Sequence, residues 1–129
     1  MNKNITRAQL EHLIVCRSAK ILADRIWDIV EQWSTFDKNS IGNHLIRSSD
    51  SIGTNITEGA GLGNNADNER FAKIARASLF ETKHWLKKAN MLQLLTESQA
   101  NDLKTMTEKL GQMINLYIDS INARKKYRR

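Results

Sequence analysis

The 129-residue sequence contains no proline, so no residue in it forces a helix to break or kink. It has a single cysteine, Cys16, which excludes an internal disulfide framework and a cysteine-based metal knuckle and fits a reducing compartment. Long apolar runs are missing too. The longest stretch free of Lys, Arg, Asp and Glu is nine residues, Leu110 to Ile118, far below the roughly twenty apolar residues that span a bilayer. Near the start, Lys3, Arg7, Glu11 and His12 surround only a brief Leu13-Ile14-Val15 run, too short for a secretory signal. The expectation is a cytoplasmic protein with no membrane span. What is present is 40% apolar and 26% charged residues, which argues against a disordered chain and for one globular domain with a substantial core. The net charge is +6, but five of the twenty cations lie within 124–129, leaving +1 on the rest. The chain divides into a domain over 1–123 and a basic tail over 124–129.

Apolar periodicity predicts four helices. Thr6 is a plausible N-cap for the first, in which Leu10, Leu13, Ile14, Ile21, Leu22, Ile26, Ile29, Val30 and Trp33 recur at steps of three and four to about Ser34. Thr35 to Ser40 reads as a polar linker, and Ile41 to about Ala60 as a second helix with Leu45, Ile46, Ser49, Ile52 and Ile56 on one stripe. Gly59, Gly61 and Gly63, then Asn64 and Asn65, form a strong breaker, after which Asp67 is expected to cap a third helix over about 68–95. Its expected apolar face includes Phe71, Ile74, Ala75, Leu79, Thr82, Trp85, Leu86, Ala89 and Leu92. Thr96 or Ser98 caps the last helix, whose seam is Leu103, Met106, Leu110, Met113, Tyr117 and Ile121. The economical fold is all-α, an antiparallel up-down four-helix bundle.

Little in this pattern points to catalysis or metal binding. Glu81 and His84 have the Glu-x-x-His spacing of di-iron bundles, but two copies are needed, and neither His12 nor His44 supplies the second. Cys16 beside Arg17 reads as a small core filler rather than a nucleophile. No Gly-x-Ser-x-Gly elbow occurs. The Gly59–Gly63 run lacks the Gly-Lys-Ser/Thr ending of a phosphate loop and reads as a helix terminator. The expectation is no enzyme, no metal and no cofactor.

Charge and shape remain. On the third helix Lys73, Arg76, Lys83 and Lys87 project within about 80° of one another at 100° per residue. Such a stripe is either a solvated face or a track for nucleic-acid phosphates, which it would neutralise without reading bases. Arg124, Lys125, Lys126, Arg128 and Arg129 form the second basic element, with Tyr127 among them as a possible stacking ring.

Two segments carry a resemblance. Ser51-Ile52-Gly53-Thr54-Asn55-Ile56-Thr57-Glu58-Gly59, followed by Phe71-Ala72-Lys73-Ile74-Ala75-Arg76-Ala77-Ser78-Leu79-Phe80-Glu81, is similar to the small bacterial four-helix bundle family. That family includes proteins encoded in 23S ribosomal RNA intervening sequences and the accessory variability determinant of diversity-generating retroelements. Leu13 to Ala19 resembles the family's first-helix segment, with Cys16-Arg17 where relatives often carry Trp-Gln, and Gly53 stands where many carry Pro. Within the motif, Ser51, Ile52, Asn55, Ile56, Glu58 and Gly59 read as a packing device, with Asn55 and Glu58 expected to be buried and partnered at a helix contact. The resemblance implies a ring-like homo-oligomer, typically a pentamer, and in the retroelement branch a basic surface for RNA or DNA and a reverse transcriptase partner. The expected function is non-enzymatic, non-specific nucleic-acid binding by this oligomer. The alternative is a protein-interaction module using exposed residues such as Phe80 and Met91.

Overall fold

The computed structural model describes residues 5–127, with side chains through 123. Four long helices and one short helical turn account for nearly all of it, and no strand is present among the described residues. Thr6 is extended ahead of α1 (Arg7–Glu31): its hydroxyl accepts the Gln9 N–H at 3.0 Å while Gln9 Oε1 accepts the Thr6 N–H at 2.9 Å. This reciprocal capping box satisfies donors that a helix start otherwise leaves orphaned.

The segment expected as a polar linker is helical. Ser34 Oγ accepts the Asp37 N–H at 3.2 Å and starts α2 (Thr35–Asp37), which runs through a π-helical turn, Lys38–Gly42, into α3 (Asn43–Gly61). With a capping serine and no proline nearby, nothing there ends the helical path.

The start of α4 (Asn65–Met91) corrects the expected cap. Gly63 adopts a left-handed φ of +82° and turns the chain, and Asn64 Oδ1 then accepts the Asp67 N–H at 2.8 Å. Asn64 is therefore the cap, and Asp67 lies in the first turn, where a carboxylate favours the positive end of the helix dipole. The helix also ends before Leu95. The Gln93 N–H reaches the Asn90 carbonyl at 3.0 Å and the Leu94 N–H reaches the Ala89 carbonyl at 2.9 Å, with Gln93 left-handed at φ +62°. This is a Schellman ending with glutamine where glycine is usual. Of the two expected caps for α5 (Glu97–Tyr127), Thr96 serves: Thr96 Oγ1 accepts the Gln99 N–H and Gln99 Oε1 accepts the Thr96 N–H, both at 3.0 Å.

The core runs through all four long helices: Val15, Leu22 and Ile26 from α1, Leu45, Ile52 and Ile56 from α3, Ala75 and Leu79 from α4, and Leu103, Leu110, Ile114, Tyr117 and Ile121 from α5. Each full burial of a Leu or Ile side chain is worth about 1.5–3 kcal/mol. Leu10, Leu13, Ile14 and Ile21, expected in this core, are exposed, as are Ile74 and Leu92. At 100° per residue the four α1 side chains lie roughly 150° from the Val15, Ala19, Leu22 and Ile26 face, so α1 is apolar on two sides. Between helices, α1 and α5 join through Arg25 to Asp102 and through Glu11 to Ser120.

The packing motif forms the α3–α4 seam. Ser51 Oγ and Ser78 Oγ are 2.9 Å apart, Asn55 Nδ2 donates to the Ser51 carbonyl and hydroxyl at 2.8 and 2.9 Å, and Thr82 donates to buried Ser48 at 2.9 Å. Ile52 and Ile56 are fully buried beside it. Asn55 is half-buried and partnered, but Glu58 is exposed and lines the open groove between α1 and α3. Gly59 is sterically required: a Cβ there would lie 2.6 Å from Phe71 Cβ and 3.3 Å from Asn68 Cα. Gly59→Ala should therefore lower stability by about 1–2 kcal/mol, as overpacking outweighs better helix propensity. Gly61→Ala, where an added Cβ meets nothing within 4 Å, should not lower it. Thermal unfolding followed by circular dichroism separates the two; equal midpoints would overturn the steric account.

Candidate nucleic-acid interface

Ala72, Ala75, Leu79, Thr82, Leu86 and Ala89 anchor α4 in the core, and that anchoring fixes where its cations emerge. Three of the four expected phosphate-binding residues lie along the furrow between α4 and α5. Arg76 Nη1 donates to Asn115 Oδ1 at 3.0 Å, which holds the guanidinium at the furrow's edge. Half-buried Lys83 extends past Gly111, its Nζ 5.9 Å from the centre of the Phe80 ring. Lys87 is exposed and lines the furrow farther along. Lys73 sits apart from them, with its Nζ 3.2 Å from Glu69 Oε2.

The furrow has two lobes. One, of about 360 Å³, has an apolar floor that includes Leu86, Leu95 and Leu103 under a rim of Lys83, Lys87 and Lys104. The other, of about 300 Å³, lies among Arg76, Phe80, Lys83, Gln112 and Asn115. Lys83 and Glu108 line both, so they mark the junction. Gly111 faces Leu79 at an ordinary distance: a Cβ there would be 3.5 Å from Leu79 Cδ2.

Lys104 is the cation that sequence reading missed. It follows core residue Leu103 on α5, and only the pairing of α5 with α4 brings it opposite Lys83 and Lys87. Phe80, 60% exposed, is the other addition, a bare aromatic face beside the stripe. Of the basic tail, Arg124, Lys125 and Lys126 fall within the span of α5, but their side chains, and Arg128 and Arg129 entirely, lie outside the described residues.

The other singled-out residues are dispersed. Glu81 Oε2 accepts from Trp85 Nε1 at 3.4 Å, and His84 meets the same indole edge-on, so both engage a half-buried tryptophan that packs against the core. Among the described residues no group of three or more His, Cys, Asp and Glu side chains is placed to hold a metal. Cys16 is half-buried between α1 and α3, its Sγ 3.5 Å from His12 Nε2 and 3.7 Å from Thr57 Oγ1. Burial holds the His12 imidazole below its ordinary pKa. In the open groove beside Cys16, burial and then the Asp24 carboxylate raise that of Asp50. No helix among the described residues is long and apolar enough to cross a membrane.

Comparison with known proteins places these features. No curated protein matches the chain. A solved structure of a protein of unknown function from the S23 ribosomal protein family of Bacteroides thetaiotaomicron VPI-5482 shares the fold, with a TM-score of 0.76 at 22% identity over 84% of this chain and 98% of that one. The 23S rRNA-intervening sequence protein family matches residues 11–116, which take in part or all of each long helix, the α3–α4 seam and the cation-lined furrow. The chain belongs to that family.

Proposed function

We propose that this protein is a non-enzymatic, cytoplasmic homo-oligomer that binds RNA or DNA backbones without reading sequence, as an accessory to an enzyme acting on nucleic acid, such as a reverse transcriptase or an rRNA-processing activity. The observation that carries this reading is the convergence of Arg76, Lys83, Lys87 and Lys104 on one furrow of an otherwise nearly neutral domain. Cations at one-turn and longer spacing along a rigid helix suit a phosphate backbone, whose bound counterions they displace. Lys73 extends the α4 line, and Arg124, Lys125, Lys126, Arg128 and Arg129 add charge beyond it.

The four helices are read as an up-down antiparallel bundle, supported by Arg25 meeting Asp102 while Glu11 meets Ser120. A ring-like assembly, five-fold in the family's manner, is supported by the second apolar face of α1, since contiguous exposed apolar patches mark association surfaces. Repetition of the furrow around a ring would multiply weak phosphate contacts into useful avidity. Met91, 72% exposed, favours a second reading, a module that docks a protein partner.

A salt titration tests the binding. With about four phosphate contacts per furrow, affinity for mixed-sequence RNA should fall roughly 50-fold between 50 and 200 mM salt. Absent or salt-insensitive binding by an intact oligomer would overturn the proposal.

A further inference from the structure

We propose that the α4–α5 furrow selects unpaired nucleotides, stacking a base on Phe80 and seating its neighbour over the apolar floor between Lys83, Lys87 and Lys104. This deepens the reading above and rests on it.

A furrow that met phosphates alone would need only charge, and this one offers more. Phe80 stands 60% exposed on α4 between Arg76 and Lys83, with the Lys83 ammonium 5.9 Å from its ring centre. An uncovered phenyl ring on a basic helix is costly to leave in water unless something flat and apolar covers it. Beyond Lys83 the floor becomes leucine under three ammonium groups, which joins an apolar surface to phosphate donors within one lobe of about 360 Å³. Glu108 stands at the junction of the lobes without an ion-pair partner among the described residues. A carboxylate there repels a phosphate and accepts an N–H from a base edge.

A duplex does not match this pattern. Its base faces are stacked inside, and it presents only groove edges and phosphates. A single strand presents both its phosphates and its base faces, and stacking on an aromatic ring tolerates any base, which preserves binding without sequence preference.

The test uses the full chain and three probes: a mixed-sequence single-stranded RNA, the same strand in duplex, and the same sugar-phosphate backbone without bases. Fluorescence anisotropy should show the single strand binding roughly 5- to 100-fold tighter than the baseless backbone, and tighter than the duplex. Phe80→Ala should abolish that preference and leave the salt dependence in place, while Phe80→Trp should retain it. Equal affinity for the single strand and the baseless backbone, with the salt dependence intact, would overturn this inference and leave backbone binding standing. No binding of any probe would overturn both. A Phe80→Ala protein with altered oligomeric mass and unaltered probe preference would make Phe80 a subunit contact and also overturn it.

Discussion

At 50 mM salt, the variant combining Lys73→Ala, Arg76→Ala, Lys83→Ala and Lys87→Ala should bind mixed-sequence RNA roughly three orders of magnitude more weakly than the unaltered chain. Each lost contact removes about 0.7 log units of affinity per decade of salt for a single strand. Arg76, Lys83 and Lys87 are the furrow contacts among the four, and three lost contacts at 50 mM salt, about 1.3 decades below molar, remove about 2.7 log units, which is that loss; the salt dependence should flatten in parallel. The variant should still fold. Lys73 and Lys87 are exposed, Lys73 gives up only a surface pair with Glu69 worth about 0–1 kcal/mol, and Arg76 gives up one hydrogen bond to Asn115 worth about 0.5–1.5 kcal/mol. Alanine's helix propensity returns part of this. Circular dichroism and thermal unfolding would verify the fold. Undiminished binding by the folded variant would reduce the stripe to a solvated face and move any affinity to the tail.

If the chain assembles as proposed, Leu13→Glu with Ile14→Glu should leave only monomers, seen by sedimentation velocity or light scattering. Both side chains are exposed in the isolated chain, at 55% and 42%, so core packing does not oppose the change. In an assembly that covers them, each carboxylate would be desolvated without a partner, at a cost of several kcal/mol per site repeated at every interface. The monomer should keep its helical content. It should also bind RNA more weakly than the oligomer with the furrow untouched, because repetition is lost. An unaltered chain that is itself monomeric would remove the ring from the proposed function.

The sequence pattern disclosed the four helices, the Thr6 cap and Thr96 as one of two candidate caps, because each rests on chemistry within a few residues, and the small-residue motif marked Gly59 as a packing position. It misjudged what depends on elements far apart. In α1 the pattern does not reveal which apolar side turns inward, since both sides carry apolar residues at the same helical spacing. Leu10, Leu13, Ile14 and Ile21 therefore read as core beside Leu22 and Ile26. Asn64 and Asp67 are both good caps, and the choice fell to the left-handed turn at Gly63. Gln93 ends α4 in a conformation that glycine usually announces, so the sequence carried no signal for it. Lys104 joins the furrow only through helix pairing, whereas Phe80 lies three residues from Lys83 on one helix, so its place beside the stripe follows from spacing alone.

The contact between Glu11 and Ser120 joins residues 109 positions apart, so during synthesis α1 emerges well before the α5 segment it packs against. Until α5 emerges, Val15, Leu22 and Ile26 lack part of their cover, and Leu10, Leu13, Ile14 and Ile21 lie bare on the other side. A nascent chain in that state is sticky on both sides of one helix. In the proposed assembly, several such chains on a single message would hold these surfaces close together, so subunits made from the same transcript would meet before they could disperse.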